Sequence, residues 1–420
     1  MTKLTRRDLL KGAVLATVAS PMIVPRTVFG TDEKAAPSER VTVAHIGVGG
    51  MGNGDLNAVL ACKSAQTIAV ADPYQDRRDA AAAVANAKGY TDFRELLDKE
   101  KIDAVVIATP DHWHVPAAIY AGKRKIHAYV QKPLGLTIEE DLAIAKLFKE
   151  NNLVFQYGTQ QRSSPHCYRG SELVRRGAIG KVKSIEVTAP NGSAGGITQE
   201  SPVPQTLDYD LWLGPAPVVP YTVDRCVNPG HFFIYDYSIG YLAGWGAHPL
   251  DIMVWASDAD LSGPITVEGT GFIPTEGLYN NVINWEMNIM LGDTPLSFKT
   301  GGDMTKFYGE DGRWIDIRRS SLTASDPDII DSFDESAPSI LQPSRSRNHE
   351  EDFILAIKDG KPAVTSLPEA VRSDIISHLC NIAVRTNSKI SWDPKKFAFI
   401  EVPDAGKEMV SRPMRAPWTL

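Results

Sequence analysis

The chain has 420 residues, 43% hydrophobic and 23% charged, with a formal net charge of −7. That is enough for two ordinary domains, each with its own core. The mildly acidic balance, with no clustered basic patch, argues against a nucleic-acid binder. Cys62, Cys167, Cys226 and Cys380 form no CxxC pair, so their spacing gives no zinc or redox motif. Four mostly unpaired, partly buried thiols are expected.

Residues 1–30 read as an export signal rather than fold. Arg6-Arg7 stand ahead of a weakly apolar stretch, Gly12–Val24, broken by Ser20-Pro21. Twin arginines in that place mark the twin-arginine (Tat) pathway, and the stretch is too short for a stable membrane span. The expectation is a periplasmic or otherwise exported protein, cleaved near Gly30, with residues 31–40 as a polar linker.

A nucleotide domain is expected over 41–162. Val41–Ile46 reads as an apolar strand, followed at once by Gly47-Val48-Gly49-Gly50-Met51-Gly52 and a helix to about Ala61. In such a fingerprint the first glycine makes the tight turn, the second admits the pyrophosphate, and the third lets helix and strand pack. The helix N-terminus offers free N–H donors to the anion. A second strand, Gln66–Ala71, ends at Asp72. A carboxylate there bonds the ribose hydroxyls and favours NAD over NADP; a turn residue before Pro73 is the other reading, and both can hold. Asp92 caps a short helix at Phe93–Leu97. The strand Ala104–Ala108 leads into Thr109-Pro110-Asp111-His112-Trp113-His114 and a helix over Val115–Ala121. The strand Ile126–Val130 leads into Gln131-Lys132-Pro133, where a cis bond before Pro133 would aim the lysine into the cleft. Thr137 and Glu140 form a capping box for a helix to about Asn151. The ends of parallel strands carry the functional loops, so Asp111–His114 and Gln131–Pro133 are candidates.

The texture changes over 163–420. Val182–Thr188 reads as a strand. The Gly/Pro-rich stretch 190–241 is a long loop carrying Trp212, Tyr221, His231, Phe232, Phe233, Tyr235 and Tyr237. Such aromatics suit sugar stacking, or ordinary loop packing. Ile283–Ile289 alternates as a half-buried strand. Phe307–Ile317 reads as a hairpin turning at Glu310-Asp311-Gly312. Ser366 and Glu369 open a helix with a capping box.

The ordered set GVGGMG, ATPDHWH, QKPL, YGTQQR and WGAHPLD resembles the Gfo/Idh/MocA oxidoreductases, over nearly the whole chain after the signal. The resemblance implies a Rossmann domain plus a C-terminal α/β domain with a large, mostly antiparallel open sheet. It implies that Lys132 contacts the reacting hydroxyl and that His248 is the catalytic histidine, with Asp251 one helical turn on. A surface lysine and a helix-start histidine are the alternatives for those two residues read alone. The expected cofactor contacts are Gly47, Gly49, Gly50, Met51, Gly52, Asp72, Thr109, Pro110, His112, His114, Gln131, Lys132 and Gln160. The expected substrate contacts are Arg162, Tyr235, Tyr237, Trp245 and His248. Neither His248 with Asp251 nor His112 with His114 has a third ligand at metal spacing, so no metal site is read. Two departures stand out: Gln131 where the family often has Glu, and Gly244 where many members have Asp.

Three functions follow as expectations. The first is oxidation of a sugar, glycoside or polyol hydroxyl by tightly bound NAD, NADP fitting less well, with Lys132 and His248 handling the proton. A redox-neutral glycosidase or lyase acting through a transient keto-sugar is the second. The third is a sugar-binding protein with impaired catalysis, motivated by Gly244. A trapped nucleotide suits export, because twin-arginine transport carries folded proteins. A homo-oligomer, dimer or tetramer, is expected if the open sheet exposes an apolar face.

Overall fold

The structure, a computed structural model, describes residues 35–257 and 263–420. The export signal lies outside them, and of the linker Pro37–Glu39 forms one 3₁₀ turn. Val41–Leu420 forms a unit of its own.

Its first layer is a six-stranded sheet in the order β3-β2-β1-β4-β5-β6. The strands are β1 Val41–Ile46, β2 Ala65–Ala71, β3 Lys88–Tyr90, β4 Ala104–Ile107, β5 His127–Val130 and β6 Phe155–Tyr157, all paired in parallel. This is the doubly wound order, whose switch point falls between β1 and β4. The connecting helices are α1 Gly50–Ala61, α2 Gln75–Ala85, α3 Phe93–Lys99, α4 His114–Gly122 and α5 Ile138–Glu150. Asp92 caps α3 by accepting from the Arg94 N–H at 2.8 Å. The expected capping box of α5 is only half made. The Thr137 hydroxyl accepts from Glu140 N, but the Glu140 carboxylate reaches past the cap to Leu136 N.

A parallel sheet must bury both faces, and here the division at residue 162 needs amending. Ala44, Ile46, Val105, Ile107, Ala128 and Val130 face one core. Val41, Val43, Ala104, Val106 and Tyr129 face another, which Phe353 and Ile354 complete. The nucleotide domain thus borrows a helix, His349–Asp359, from far along the chain. Nothing local in residues 349–359 reveals that partner.

The second layer is a nine-stranded sheet in the order β13-β12-β11-β7-β10-β9-β8-β14-β15. Its strands are β7 Ser184–Ala189, β8 Ile265–Phe272, β9 Asn284–Leu291, β10 Thr294–Thr300, β11 Met304–Tyr308, β12 Trp314–Ile317, β13 Leu322–Ala324, β14 Ile390–Asp393 and β15 Ala398–Glu401. Only β7 and β10 run parallel; the other pairs are antiparallel. The Phe307–Ile317 hairpin forms as read, turning through Asp311 and Gly312 at positive φ. Helices α6 Pro165–Arg175, α7 Ala247–Ala256 and α9 Leu367–Thr386 pack on the nine-stranded sheet, α9 also meeting β6, while α8 His349–Asp359 lies against β1 and β5 of the first sheet; α9 opens with the expected Ser366/Glu369 capping box.

The outer face of this sheet is mixed in character. Strand β9 alternates strictly, with Trp285, Met287 and Ile289 inside and Glu286 and Asn288 outside. Lys299 pairs with Glu186 at 2.9 Å on the same face. Phe272 and Met290 are exposed among these polar groups on the same face. The four cysteines are free and buried. No helix among the described residues is long and apolar enough to cross a membrane.

Candidate active site

The site begins at the switch point. A cleft of about 510 Å³ runs along the ends of β1, β2 and β4, lined by Gly47, Val48, Gly49, Gly50, Met51, Asp72, Thr109 and Pro110. Gly47 takes φ +81°, and a Cβ there would stand 2.6 Å from Ala108 O. A Cβ on Gly52 would lie 2.1 Å from Gly47 O. Both glycines are therefore dictated by close packing. At Gly49 the space is open, the nearest atom being Arg77 Nη1 at 3.5 Å from a Cβ there. That opening is where a pyrophosphate needs to approach the backbone. Gly49 caps α1 without a side-chain hydrogen bond, so the first-turn amides keep their donors for an anion. Arg77 adds a cation beside them, an element the glycine pattern could not reveal.

Asp72 is buried. Its two oxygens accept from Val48 N at 2.9 Å and Tyr74 N at 2.8 Å. Burial raises its pKa while those two amides pull it down. The carboxylate closes the turn before Pro73 and lines the cleft. The long loop supplies the roof, with Trp212, Cys226, Asn228, His231 and Phe232 lining the cleft from above.

The Phe232 ring connects this cleft to the reactive residues. Lys132 Nζ lies 5.4 Å from its centroid, and the Lys132–Pro133 bond is cis, as expected. Burial lowers the lysine pKa; Asp111 raises it and Arg319 lowers it further. His248 sits in the first turn of α7, buried, with Nδ1 unpartnered. Burial holds its pKa well below the usual value, and Lys132 and Arg319 add to the effect. Those effects favour its uncharged form. Trp245 packs edge-on to it at 6.0 Å, and the Arg319 guanidinium lies 5.7 Å from the Trp245 ring centroid. Arg319 was invisible in the sequence because it follows β12, far along the chain.

A Cβ at Gly244 would stand 3.4 Å from Phe232 Cδ1, in ordinary van der Waals contact with the ring, so close packing does not by itself require glycine here. A different carboxylate is available. Asp111 is buried, with Oδ2 unpartnered, and within electrostatic reach of Lys132. Burial pushes its pKa up to about 7, against the Ser238 hydrogen bond and Lys132. Sequence reading placed Asp111 in the right loop but gave it no role.

Gln131 finds its reason. Its amide nitrogen donates to both oxygens of Asp55, at 3.1 and 3.0 Å. Burial and the neighbouring Glu350 raise the Asp55 pKa well above normal. A glutamate at 131 would add a third carboxylate to that pocket and remove its donor.

Several expected contacts lie elsewhere. Arg162 is fully buried, gripping Asp251 through Nε and Nη2 at 2.8 and 2.6 Å, and Glu369 and Val364 O through Nη1. Every nitrogen of its fork is engaged, so it clamps α7 and α9 instead of reaching a substrate. Tyr237 is fully buried against Trp212 and His112, and its hydroxyl accepts from Arg225. Tyr235 lies between the guanidiniums of Arg385 and Arg412, 3.5 and 3.7 Å from its centroid. His112 is hydrogen-bonded to Trp212 O within the same aromatic cluster. Gln131 and Gln160 turn inward, Gln160 donating to the Tyr129 hydroxyl at 3.3 Å. His114 ties the two functional loops together, its ring nitrogens 2.6 Å from Pro133 O and 3.0 Å from Thr109 O.

Known proteins place this arrangement. Residues 41–159 match the oxidoreductase family model of the NAD-binding Rossmann fold, and residues 193–293 and 305–420 match that family's C-terminal alpha/beta domain. The chain is 31% identical over 144 residues to scyllo-inositol 2-dehydrogenase (NAD(+)) of Bacillus subtilis, covering 34% of this chain and 42% of that protein. It is 34% identical over 98 residues to levoglucosan dehydrogenase of Pseudarthrobacter phenanthrenivorans, covering 23% and 25%. It is 33% identical over 147 residues to glycosyl hydrolase family 109 protein 1 of Shewanella sp. strain MR-4, covering 33% and 32%. The matched stretch thus spans less than half of each relative. A solved levoglucosan dehydrogenase in complex with NADH and L-sorbose shares the fold, with a TM-score of 0.64 at 17% identity, over 87% of this chain and all of that one. With both domain models matched across most of Val41–Leu420, the chain belongs to the Gfo/Idh/MocA oxidoreductase family.

Proposed function

We propose that this protein is an NAD-dependent oxidoreductase acting on a hydroxyl of a sugar, glycoside or polyol. The observation that carries this reading is Lys132 placed 5.4 Å from the ring of Phe232, which also lines the glycine-walled nucleotide cleft, with buried His248 within electrostatic reach of Lys132. Bound NAD supplies the hydride acceptor. The chain's own residues bind, orient and move the proton. Lys132 holds the substrate oxygen and lowers the cost of its deprotonation. His248, uncharged, accepts the proton at its free imidazole nitrogen. Asp111, whose carboxyl titrates near neutrality, balances the charge on Lys132 as the proton moves. Trp245 and Arg319 supply an apolar face and a cation for the rest of the substrate. The names of the inositol and levoglucosan dehydrogenases support a polyhydroxylated ring as substrate.

A redox-neutral glycosidase is the second reading, favoured by the likeness to the family 109 glycosyl hydrolase and by the roof over the cleft. The two separate in one experiment. The mature protein is incubated with a glycoside panel without added cofactor, following absorbance at 340 nm and released sugars. Net reduction paired with oxidised sugar is expected for the dehydrogenase. Sugar release without net reduction establishes the glycosidase instead, and silence in both channels leaves a binding protein.

We also propose export through the twin-arginine pathway with the nucleotide already held, on the strength of Arg6-Arg7 and the stretch after them. Denaturing purified mature protein is expected to release about one NAD per chain. Protein that releases none contradicts a trapped cofactor.

A further inference from the structure

Behind the Lys132 loop lies a polar cluster that the proposed reaction does not use. Asp141 comes from α5; Asp374 and His378 come from α9, four residues apart and so on one helix face. They are 0%, 0% and 3% exposed. One ligand-capable atom of each lies within 4.8 Å of the other two.

The distances discriminate between two kinds of cluster. His378 Nε2 stands 3.5 Å from Asp141 Oδ2 and 3.4 Å from Asp374 Oδ2. A protonated imidazole bonded to carboxylates closes to about 2.7–2.9 Å. Two ligands on one tetrahedral cation, each bonded at about 2.0–2.1 Å, stand about 3.4 Å apart. The two histidine–carboxylate distances match the second, while the two carboxylates raise the His378 pKa to about 10 against its burial.

Hydrogen bonding points the same way. Neither oxygen of Asp141 receives a hydrogen bond, and His378 Nε2 makes none, although buried polar groups seldom go unpaired. Asp374, in contrast, is held by Gly135 N and the Tyr157 hydroxyl, each at 3.3 Å. Among the described residues no lysine or arginine pairs with either carboxylate; His378 is the sole basic partner. Two buried carboxylates are costly without compensating charge, and a divalent cation cancels them while leaving the imidazole neutral. The loop backbone packs directly on the cluster, since a Cβ on Gly135 would lie 2.5 Å from Asp141 Oδ1.

We propose that Asp141, Asp374 and His378 bind a divalent metal ion, zinc by its spacing, that staples the loop after Lys132 to α5 and α9. Three protein ligands leave the fourth tetrahedral corner to water. The ion is structural: it touches neither cofactor nor substrate, and it holds the loop that presents the lysine.

The test is the metal content of untagged full-length protein, purified without chelator from zinc-supplemented cells. About one zinc per chain is expected, falling at least tenfold in Asp141→Asn with bound nucleotide and circular dichroism unchanged. X-ray absorption of the wild type should show one histidine nitrogen and carboxylate oxygens at about 2.0–2.1 Å. Wild-type protein with less than about a tenth of an equivalent, even after refolding in excess zinc, overturns the proposal and leaves an ion triad around protonated His378. Zinc retained undiminished in Asp141→Asn also overturns it. Where that variant does not fold, the wild-type content and absorption spectrum decide.

Discussion

Position 244 is buried beside the Phe232 ring, which a Cβ there would touch at 3.4 Å. Gly244→Asp is expected to lose about 1–3 kcal/mol of stability, as buried polar groups without a partner do. Adding Phe232→Ala opens the space and should recover part of that loss, measured as non-additivity in a double-mutant cycle of thermal unfolding. Simple additivity would show that the ring is not the obstacle. Asp111 makes a separate prediction about pH. Its folded pKa is raised to about 7 by burial, against about 3.9 for a free aspartate. A raised carboxyl stabilises the fold fully below about pH 4, and that stability is lost as pH rises towards 7. Asp111→Asn, neutral throughout, should flatten the stability profile across that window. It should also cut turnover by about a hundredfold if Asp111 balances Lys132 during proton transfer. An unchanged profile and an unchanged rate would remove it from the site.

Helix α7 carries two functions on one face. His248 points towards the reactive region, and Asp251, one turn later, is gripped by Arg162 and by the Thr159 hydroxyl at 2.7 Å. The grip fixes the rotation of α7 and so the aim of His248. A lysine cannot reproduce the two-pronged contact, and breaking a buried pair costs about 3–5 kcal/mol. Arg162→Lys is thus expected to lower the melting temperature sharply and reduce kcat, with KM for the sugar little changed. A selective rise in KM would instead return Arg162 to the substrate. Other helices show how far local sequence reading reaches. The Ser366/Glu369 capping box and the Asp92 cap formed as read, because cap and helix are neighbours in the chain. The Thr137/Glu140 box formed only in half, because Leu136 N competed for the glutamate.

At the scale of the whole molecule, a C-terminal strap holds the cleft roof. Arg415 donates to Gly214 O at 2.8 Å and pairs with Asp210, beside Trp212. Trp418 packs edge-on against Trp113 at 4.6 Å, with the Arg94 guanidinium 4.3 Å from the Trp418 ring centroid. A chain ending at Val410 should still fold its two sheets yet release its nucleotide much faster, as nucleotide content after gel filtration would show. Full retention would mean that the loop holds itself. The amino-acid sequence by itself determined the elements whose causes are local. The β1–glycine–α1 turn, the acid after β2, the cis-Pro133 loop and the alternating β9 are each set by residues within a few positions of one another. Tertiary structure decided the rest, because the partners are distant in the chain. Gln131 meets Asp55 across 76 positions, Arg162 meets Asp251 across 89, and Arg415 meets Gly214 across 201. A buried polar side chain takes its role from whichever group can satisfy it, and only folding brings that group within hydrogen-bond distance.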